Sequence, residues 1–167
     1  HNPSQSKHTN SQIVNLIKKR NVEIDRVSKK LKIPIFKLME TDILPDGSLA
    51  LPDEALNALD ATIVSIHSVF IMDKDAMTKR IIKGLSHPKA KILAHPTGRL
   101  LNERAGYDVD FEKLLKYCRE NNKALEINAY PNRLDLDGPI IRMAVNAGVK
   151  MTIDTDSHQV SQMELMP

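Results

Sequence analysis

The sequence contains a single cysteine, Cys118, so a disulfide scaffold is excluded and the cytosol is the expected compartment. No apolar run is long enough to cross a membrane. No glycine-rich phosphate turn follows an early strand, and no Gly-x-Ser-x-Gly motif occurs. These absences argue against a doubly wound nucleotide-binding fold and a serine hydrolase. The net charge of +3 permits an anionic substrate without requiring nucleic acid.

The remaining composition is that of a soluble globular domain, with 27% charged and 41% apolar residues. We expect one domain over residues 1–167, since this length supports one hydrophobic core. Five short apolar runs alternate with helical patterns, which predicts an α/β fold with a parallel sheet. An ordinary β/α barrel needs about eight strands and about 250 residues. We therefore expect only part of a barrel in this chain.

Residues able to bind metals stand where the predicted strands end. A carboxylate or histidine ends four of them, and two further polar residues end the fifth: Glu40, His67, His95, Asp156 with His158, and then Glu126 and Asn128. In β/α barrels this rim carries the chemistry. A single histidine here would more simply be a hydrogen-bonded core residue, but four strands ending alike favour a shared metal site.

This ligand set also predicts which metals bind and how. Mixed imidazole and carboxylate ligands suit manganese, zinc or iron better than magnesium or calcium. We expect the ligand atoms of Glu40, His67 and His95 to converge on one cation, within about 6 Å of one another. Two cations about 3.5–4 Å apart can activate a shared water and stabilise a phosphoryl group.

Four polar residues at or near the strand ends form two predicted pairs. Asp156 and His158 are two residues apart, so an extended chain would place them on one side. Glu126 and Asn128 would likewise share one face, close to the metal but outside its coordination sphere, where they orient ligands or bind water.

The first predicted helix, over residues 11–31, combines an apolar stripe with many lysines. The stripe contains Ile13, Ile17, Ile24, Val27 and Leu31. The lysines outside it could contact a phosphate backbone, although a solvated helix face is the favoured interpretation. A later amphipathic helix directs Cys118 into the core.

Five motifs of the chain resemble the PHP (polymerase and histidinol phosphatase) domain, in the version fused behind bacterial family X DNA polymerases. The resemblance covers essentially the whole chain from His1. The motifs are Glu40-Thr-Asp-Ile-Leu-Pro-Asp-Gly-Ser-Leu, Ser65-Ile-His-Ser, Ala94-His-Pro-Thr-Gly-Arg-Leu-Leu, Leu125-Glu-Ile-Asn-Ala and Asp154-Thr-Asp-Ser-His.

The resemblance implies a distorted seven-stranded β/α barrel, here truncated at its N-terminus, with up to three divalent metals. Glu40 would be the bridging carboxylate and hold one metal with His67 and His95. Asp156 would bind a second metal. His158 and His1 would bind a third, although His1 also fits a remnant of an affinity tag. The same residues except His1 would be catalytic.

The resemblance further implies how substrate is held. Arg99 and Arg133 lie on predicted rim loops, where they would meet a phosphate or form structural salt bridges, two equally plausible roles. Asn128 joins them as a predicted substrate-binding residue.

The implied function is a metal-dependent phosphoesterase like the 3′–5′ exonuclease module of a repair polymerase, acting on a DNA 3′ end beside an N-terminal polymerase domain. The alternatives are a small-molecule phosphatase of the histidinol-phosphate type and a catalytically incomplete structural or regulatory module.

The sequence departs from the family at its start, because the His-x-His motif of the first strand and the following aspartate ligand do not occur. We therefore expect a fragment with weak or no activity, and an active form when the chain is extended through that motif. The open barrel edge would favour a homodimer.

Overall fold

A computed structural model describes residues 2–3 and 5–165, which form one parallel sheet with helices between its strands. The strands are β1 (Leu38–Asp42), β2 (Ala61–Ser65), β3 (Ala90–Leu93), β4 (Ala124–Asn128) and β5 (Lys150–Asp154). The helices are α1 (Asn10–Ser28), α2 (Asp53–Asn57), α3 (Lys74–Ser86), α4 (Phe111–Glu120) and α5 (Gly138–Asn146), followed by the 3-10 helix Val160–Leu165.

The strand order along the sheet is the order along the chain, β1-β2-β3-β4-β5, and every pair is parallel. Because such crossovers are right-handed, successive helices return on the same face of the sheet. A doubly wound sheet reverses its order part-way, and this one does not. The predicted α/β fold with a parallel sheet is confirmed, while closure into a seven-stranded barrel stays a prediction.

Side-chain caps fix where the helices begin. Thr9 forms a capping box with Gln12 at the start of α1. Asp73, Asp110 and Asp137 each accept a hydrogen bond from a backbone N–H in the first turn of α3, α4 and α5. These side-chain caps therefore fix the residue at which each of these four helices begins.

The core lies between the sheet and the helices on one of its faces. Fully buried side chains from α3, α4 and β3 meet there, including Met77, Ile81, Leu85, Leu93 and Leu114. A second cluster joins α1 to α2 through Ile13, Ile17, Leu51 and Leu56. The opposite face of the sheet carries half-buried apolar residues and borders a cavity of about 440 Å³.

One detail of the predicted first helix is wrong. The apolar stripe of α1 is buried only in its first half, because the helix ends at Ser28 and leaves Val27 40% and Leu31 46% exposed. No helix in the described part of the chain is long and apolar enough to span a bilayer.

The core position of Cys118 is confirmed, and it generates a test of the fold. Burial raises the pKa of the Cys118 thiol to about 12, from an ordinary value of 9.0. The unfolded thiol ionises first as the pH rises, so this group lowers stability above about pH 9. We expect iodoacetamide at pH 8.5 to label Cys118 only as fast as the domain unfolds. Rapid labelling of the folded protein, measured by mass spectrometry, would contradict this packing.

Candidate metal centre

Glu40, His67 and His95 meet at the carboxyl edge of the sheet, with one potential ligand atom of each within 4.8 Å of the others. Glu40 Oε1 lies 3.1 Å from His95 Nε2 and 3.4 Å from His67 Nε2. The two imidazole centroids are 5.2 Å apart. The predicted convergence of these three side chains is therefore confirmed.

The strands place each member of this cluster. Glu40 lies in β1, while His67 and His95 follow the last residues of β2 and β3 by two positions. Because β1, β2 and β3 are adjacent and parallel, their carboxyl ends lie side by side. Three residues from separate parts of the sequence thereby reach one point.

Asp42 orients His67. Its Oδ1 lies 2.5 Å from His67 Nδ1, and Ser65 Oγ lies 3.2 Å from the same nitrogen. This contact leaves His67 Nε2 directed toward Glu40. A carboxylate on the far nitrogen of a ligating histidine fixes the ring and raises its basicity. The sequence reasoning missed this role of Asp42, although its spacing of two from Glu40 on one strand was a usable signal.

His95 is fixed through its backbone. Its N–H donates to Glu126 Oε2 at 2.5 Å, and its carbonyl accepts from Gly98 N at 2.8 Å. The carboxylate of buried Asp135 accepts from the backbone N–H groups of Thr97 and Gly98 at 3.0 Å each. His95 itself has a φ of 30°, an uncommon value that this turn imposes. Asp135 is a second positioning residue that the sequence reasoning missed.

Arg80 joins the loops that follow β1 and β2. It is 3% exposed and donates to the carbonyls of Ile43 and Leu44 in the first loop, and of Ser68 and Val69 in the second. Val69 has a φ of 53°, which is rare for a β-branched residue. Arg80 therefore holds the segments next to Asp42 and His67 together. Nothing in the sequence pattern distinguished this arginine from the exposed basic residues of its helix.

The two glutamates of the centre, Glu40 and Glu126, have pKa values shifted in opposite directions. Burial by itself would raise the pKa of Glu40, but the hydrogen bond from His95 and the charges of His95 and His67 lower it to about 2. Burial, together with the hydrogen bond and charge of Asp154, raises the pKa of Glu126 above its ordinary value. Glu40 is thus an anion at neutral pH, while Glu126 is the harder of the two to ionise.

The three cluster residues fit a cation. Two ligands each about 2.1 Å from a tetrahedral zinc ion lie about 3.4 Å apart, close to the spacing of Glu40 from the two histidines. One carboxylate and two imidazoles are the donors that zinc, manganese and iron accept. Glu126 lies outside this group and contacts the backbone of His95. Its position outside the coordination sphere of a bound metal stays a prediction.

The structure separates Asp156 and His158 from the cluster. Asp156 has a φ of 51° and lies beyond the end of β5, so the alternation of an extended strand does not hold there. The predicted proximity of the two residues is confirmed, since His158 Nδ1 lies 4.0 Å from the carboxylate of Asp156 and 2.7 Å from its backbone oxygen. A turn at Asp156, and not the alternation of a strand, brings them together. Both residues still border the 440 Å³ cavity that Glu40 lines. Their role as ligands stays a prediction, and His1 lies outside the described residues.

The predicted substrate-binding residues are already engaged within the protein. Arg133 Nε donates to Asp156 Oδ2 at 3.1 Å, and Arg99 Nε donates to the carbonyl of Arg133 at 2.9 Å. Asn128 is 1% exposed, donates to Glu126 and accepts from the N–H of Tyr130. Asn128 therefore positions neighbouring groups, and its contact with substrate stays a prediction.

Comparisons with known proteins identify the same relationship. No family model matches the chain. The DNA polymerase/3′-5′ exonuclease PolX of Bacillus subtilis is 40% identical over 151 residues, which are 90% of this chain and 26% of that protein. A probable phosphatase of Caldicellulosiruptor saccharolyticus is 31% identical over 134 residues, 75% of this chain and 54% of that protein. A probable phosphatase of Thermoanaerobacter sp. (strain X514) is 31% identical over 136 residues, 75% of this chain and 53% of that protein.

These matches confirm the resemblance of the chain to the PHP domain of family X polymerases. The chain spans about a quarter of the polymerase and about half of each phosphatase. The PHP resemblance thus rests on matches over three quarters or more of this chain and on the clustered motif residues.

The contact between Asp42 and His67 generates a test of the centre. We expect Asp42→Asn to lower manganese affinity about 10- to 100-fold, the usual effect of removing a carboxylate from a ligating histidine. Isothermal titration calorimetry measures this, with Asp46→Asn in the adjacent exposed turn as the control. Equal manganese affinity of Asp42→Asn and the unchanged protein would show that Asp42 does not support metal binding through His67.

Proposed function

We propose that this PHP domain is a metal-dependent phosphoesterase. The observation that carries the proposal is the Glu40, His67 and His95 cluster at the sheet edge of a chain related to a polymerase/exonuclease and to probable phosphatases. A cation in such a cluster supplies Lewis acidity toward a phosphoryl oxygen.

The chain's own residues prepare the centre for that cation. Glu40 offers a charged oxygen, since its pKa is about 2. Asp42 holds His67 with one nitrogen turned to Glu40, and Glu126 with Asp135 fixes the backbone around His95. The ligands are therefore positioned before binding, which reduces the entropic cost of assembling the site.

Asp156 and His158 would extend the centre to further cations, up to three with His1, and manganese, zinc or iron are the proposed metals. Both described residues border a second, polar pocket of about 260 Å³. Arg133 lines it too, and its NH1 group is buried with no hydrogen-bond partner among the described residues. We propose that Arg133, supported by Arg99, meets the phosphate, because a guanidinium matches phosphate oxygens in geometry and charge.

The finer proposal is an exonuclease that removes nucleotides from a DNA 3′ end. The support is the 40% identity to PolX, whose name includes 3′-5′ exonuclease. The same relationship supports a seven-stranded barrel, a single domain over residues 1–167, a polymerase domain as partner in the parent protein, and cytoplasmic location. A homodimer through the β1 or β5 edge is proposed because each of these strands pairs on one side in the described sheet.

The second candidate is a phosphatase acting on small phosphate monoesters. Its support is the 31% identity to two proteins named as probable phosphatases. Release of nucleotides from single-stranded DNA, compared with phosphate release from histidinol phosphate, separates the two candidates. A regulatory module without hydrolysis corresponds to activity on neither substrate.

Glu40 provides the test of the proposal. We expect Glu40→Gln to lower manganese-dependent hydrolysis of bis(p-nitrophenyl) phosphate about 100-fold or more, because the neutral amide loses several kcal/mol of charge stabilisation at the metal. The matched control is Glu120→Gln, an exposed carboxylate on α4. Equal rates for Glu40→Gln and the control, with unchanged melting temperatures, would refute the proposed centre.

A further inference from the structure

Positive charge is concentrated in one segment of the chain. Residues 7–37 contain nine lysines and arginines but two aspartates and glutamates, a net charge of +7. Because the whole chain carries +3, the rest of the molecule carries −4. A charge separation of this size creates a directed surface potential, which a uniform solvating surface would lack.

Five of these residues form what we call the basic stripe. Positions 19 and 26 are seven residues apart, which places them on the side of α1 opposite its buried residues, and Lys29 is the C-cap that ends the helix. Two lysines after the helix continue the row. The basic stripe consists of Lys19, Arg26, Lys29, Lys30 and Lys32, all exposed.

The charges of the stripe are largely unneutralised. Arg26 contacts the exposed Glu23 at 2.5 Å, while the four lysines form no ion pair with any residue that the structure describes. Lys113 of α4, in contrast, pairs with both Asp75 and Asp110. Holding four unpaired cations on one row costs repulsive energy that a polyanion would relieve.

The stripe runs along the outer side of the domain, away from the metal cluster. Arg20 in α1 donates to the carbonyl of Leu38 at 2.8 Å, and Asp25 pairs with Lys37 at 2.8 Å, so the end of α1 lies beside the start of β1. The metal cluster lies at the other end of β1. From Lys19 to Lys29 the stripe covers about 15 Å of helix.

Exposed apolar residues lie among these charges. Val22, Ile33 and Phe36 are 69%, 65% and 69% exposed. Proteins that hold single-stranded nucleic acid combine lysines along the backbone with an aromatic ring on which a base stacks. A membrane-bound helix would instead place its apolar face in the lipid, but the apolar face of α1 is buried against α2.

We propose that the basic stripe, with Phe36 beside it, binds the backbone of single-stranded nucleic acid whose end reaches the metal cluster. The position of that end rests on the proposed function. The binding by the stripe does not, since it requires no metal.

The test measures binding without turnover. Fluorescence anisotropy of a labelled 20-nucleotide single strand is recorded in EDTA over a series of salt concentrations, for the unchanged chain and for K19Q/K29Q/K30Q/K32Q. Each lost phosphate contact lowers the salt slope by about 0.7, so we expect the slope to fall by about 3 and the affinity by about 10- to 100-fold. The matched control is K74Q/K79Q/K91Q/K116Q, four exposed lysines of α3, β3 and α4, which should keep the slope. Phe36→Ala should lower affinity about tenfold at an unchanged slope.

Three outcomes would overturn the proposal: an unchanged slope in the stripe variant, an equal loss in the control variant, or binding of the unchanged chain to phosphatidylserine vesicles but not to the single strand. Hydrolysis of bis(p-nitrophenyl) phosphate separates this proposal from the previous one. The stripe variant should keep that activity, while Glu40→Gln should lose it and keep its affinity for the strand in EDTA.

Discussion

The carboxylate of Glu40 between the imidazoles of His67 and His95 is the interaction on which the site depends. An anion beside two rings is stable in a partly buried place only if positive charge is supplied there, by protonated imidazoles or by a cation. The pKa of Glu40 is low because His95 and His67 stabilise its anionic form. The sheet edge holds these three groups close together in two ways. Glu40, His67 and His95 come from adjacent parallel strands, and buried side chains bind the loops that follow those strands.

The anchors are buried polar contacts of residues that do not line the 440 Å³ cavity. Arg80 connects the loops after β1 and β2, and Asp135 caps the turn after β3. Buried polar groups of this kind are costly unless each is satisfied, and here their partners are backbone groups of the loops themselves. The loops can therefore carry ligands with little freedom, while the apolar contacts between sheet and helices supply most of the stability.

The sequence allowed the fold and the first metal site to be predicted because both follow from repetition. Apolar runs of strand length alternate with helical patterns, and His67 and His95 stand at equivalent positions after β2 and β3. Asp156 and His158 lie together as predicted, but through a turn at Asp156, where the chain leaves the extended conformation, and periodicity does not reveal such a turn. The roles of Asp135 and Arg80 depend on hydrogen bonds to residues 37 positions away in the sequence. The periodicity of apolar residues predicts strands and helices but not contacts of this kind.

The central claim is that Glu40, His67 and His95 bind one cation, and an anomalous difference map from a crystal soaked in manganese or zinc tests it most directly. We predict a peak about 2.0–2.2 Å from one oxygen of Glu40 and one nitrogen of each histidine. A fully occupied metal peak elsewhere in the domain, with none between these three residues, would contradict the account.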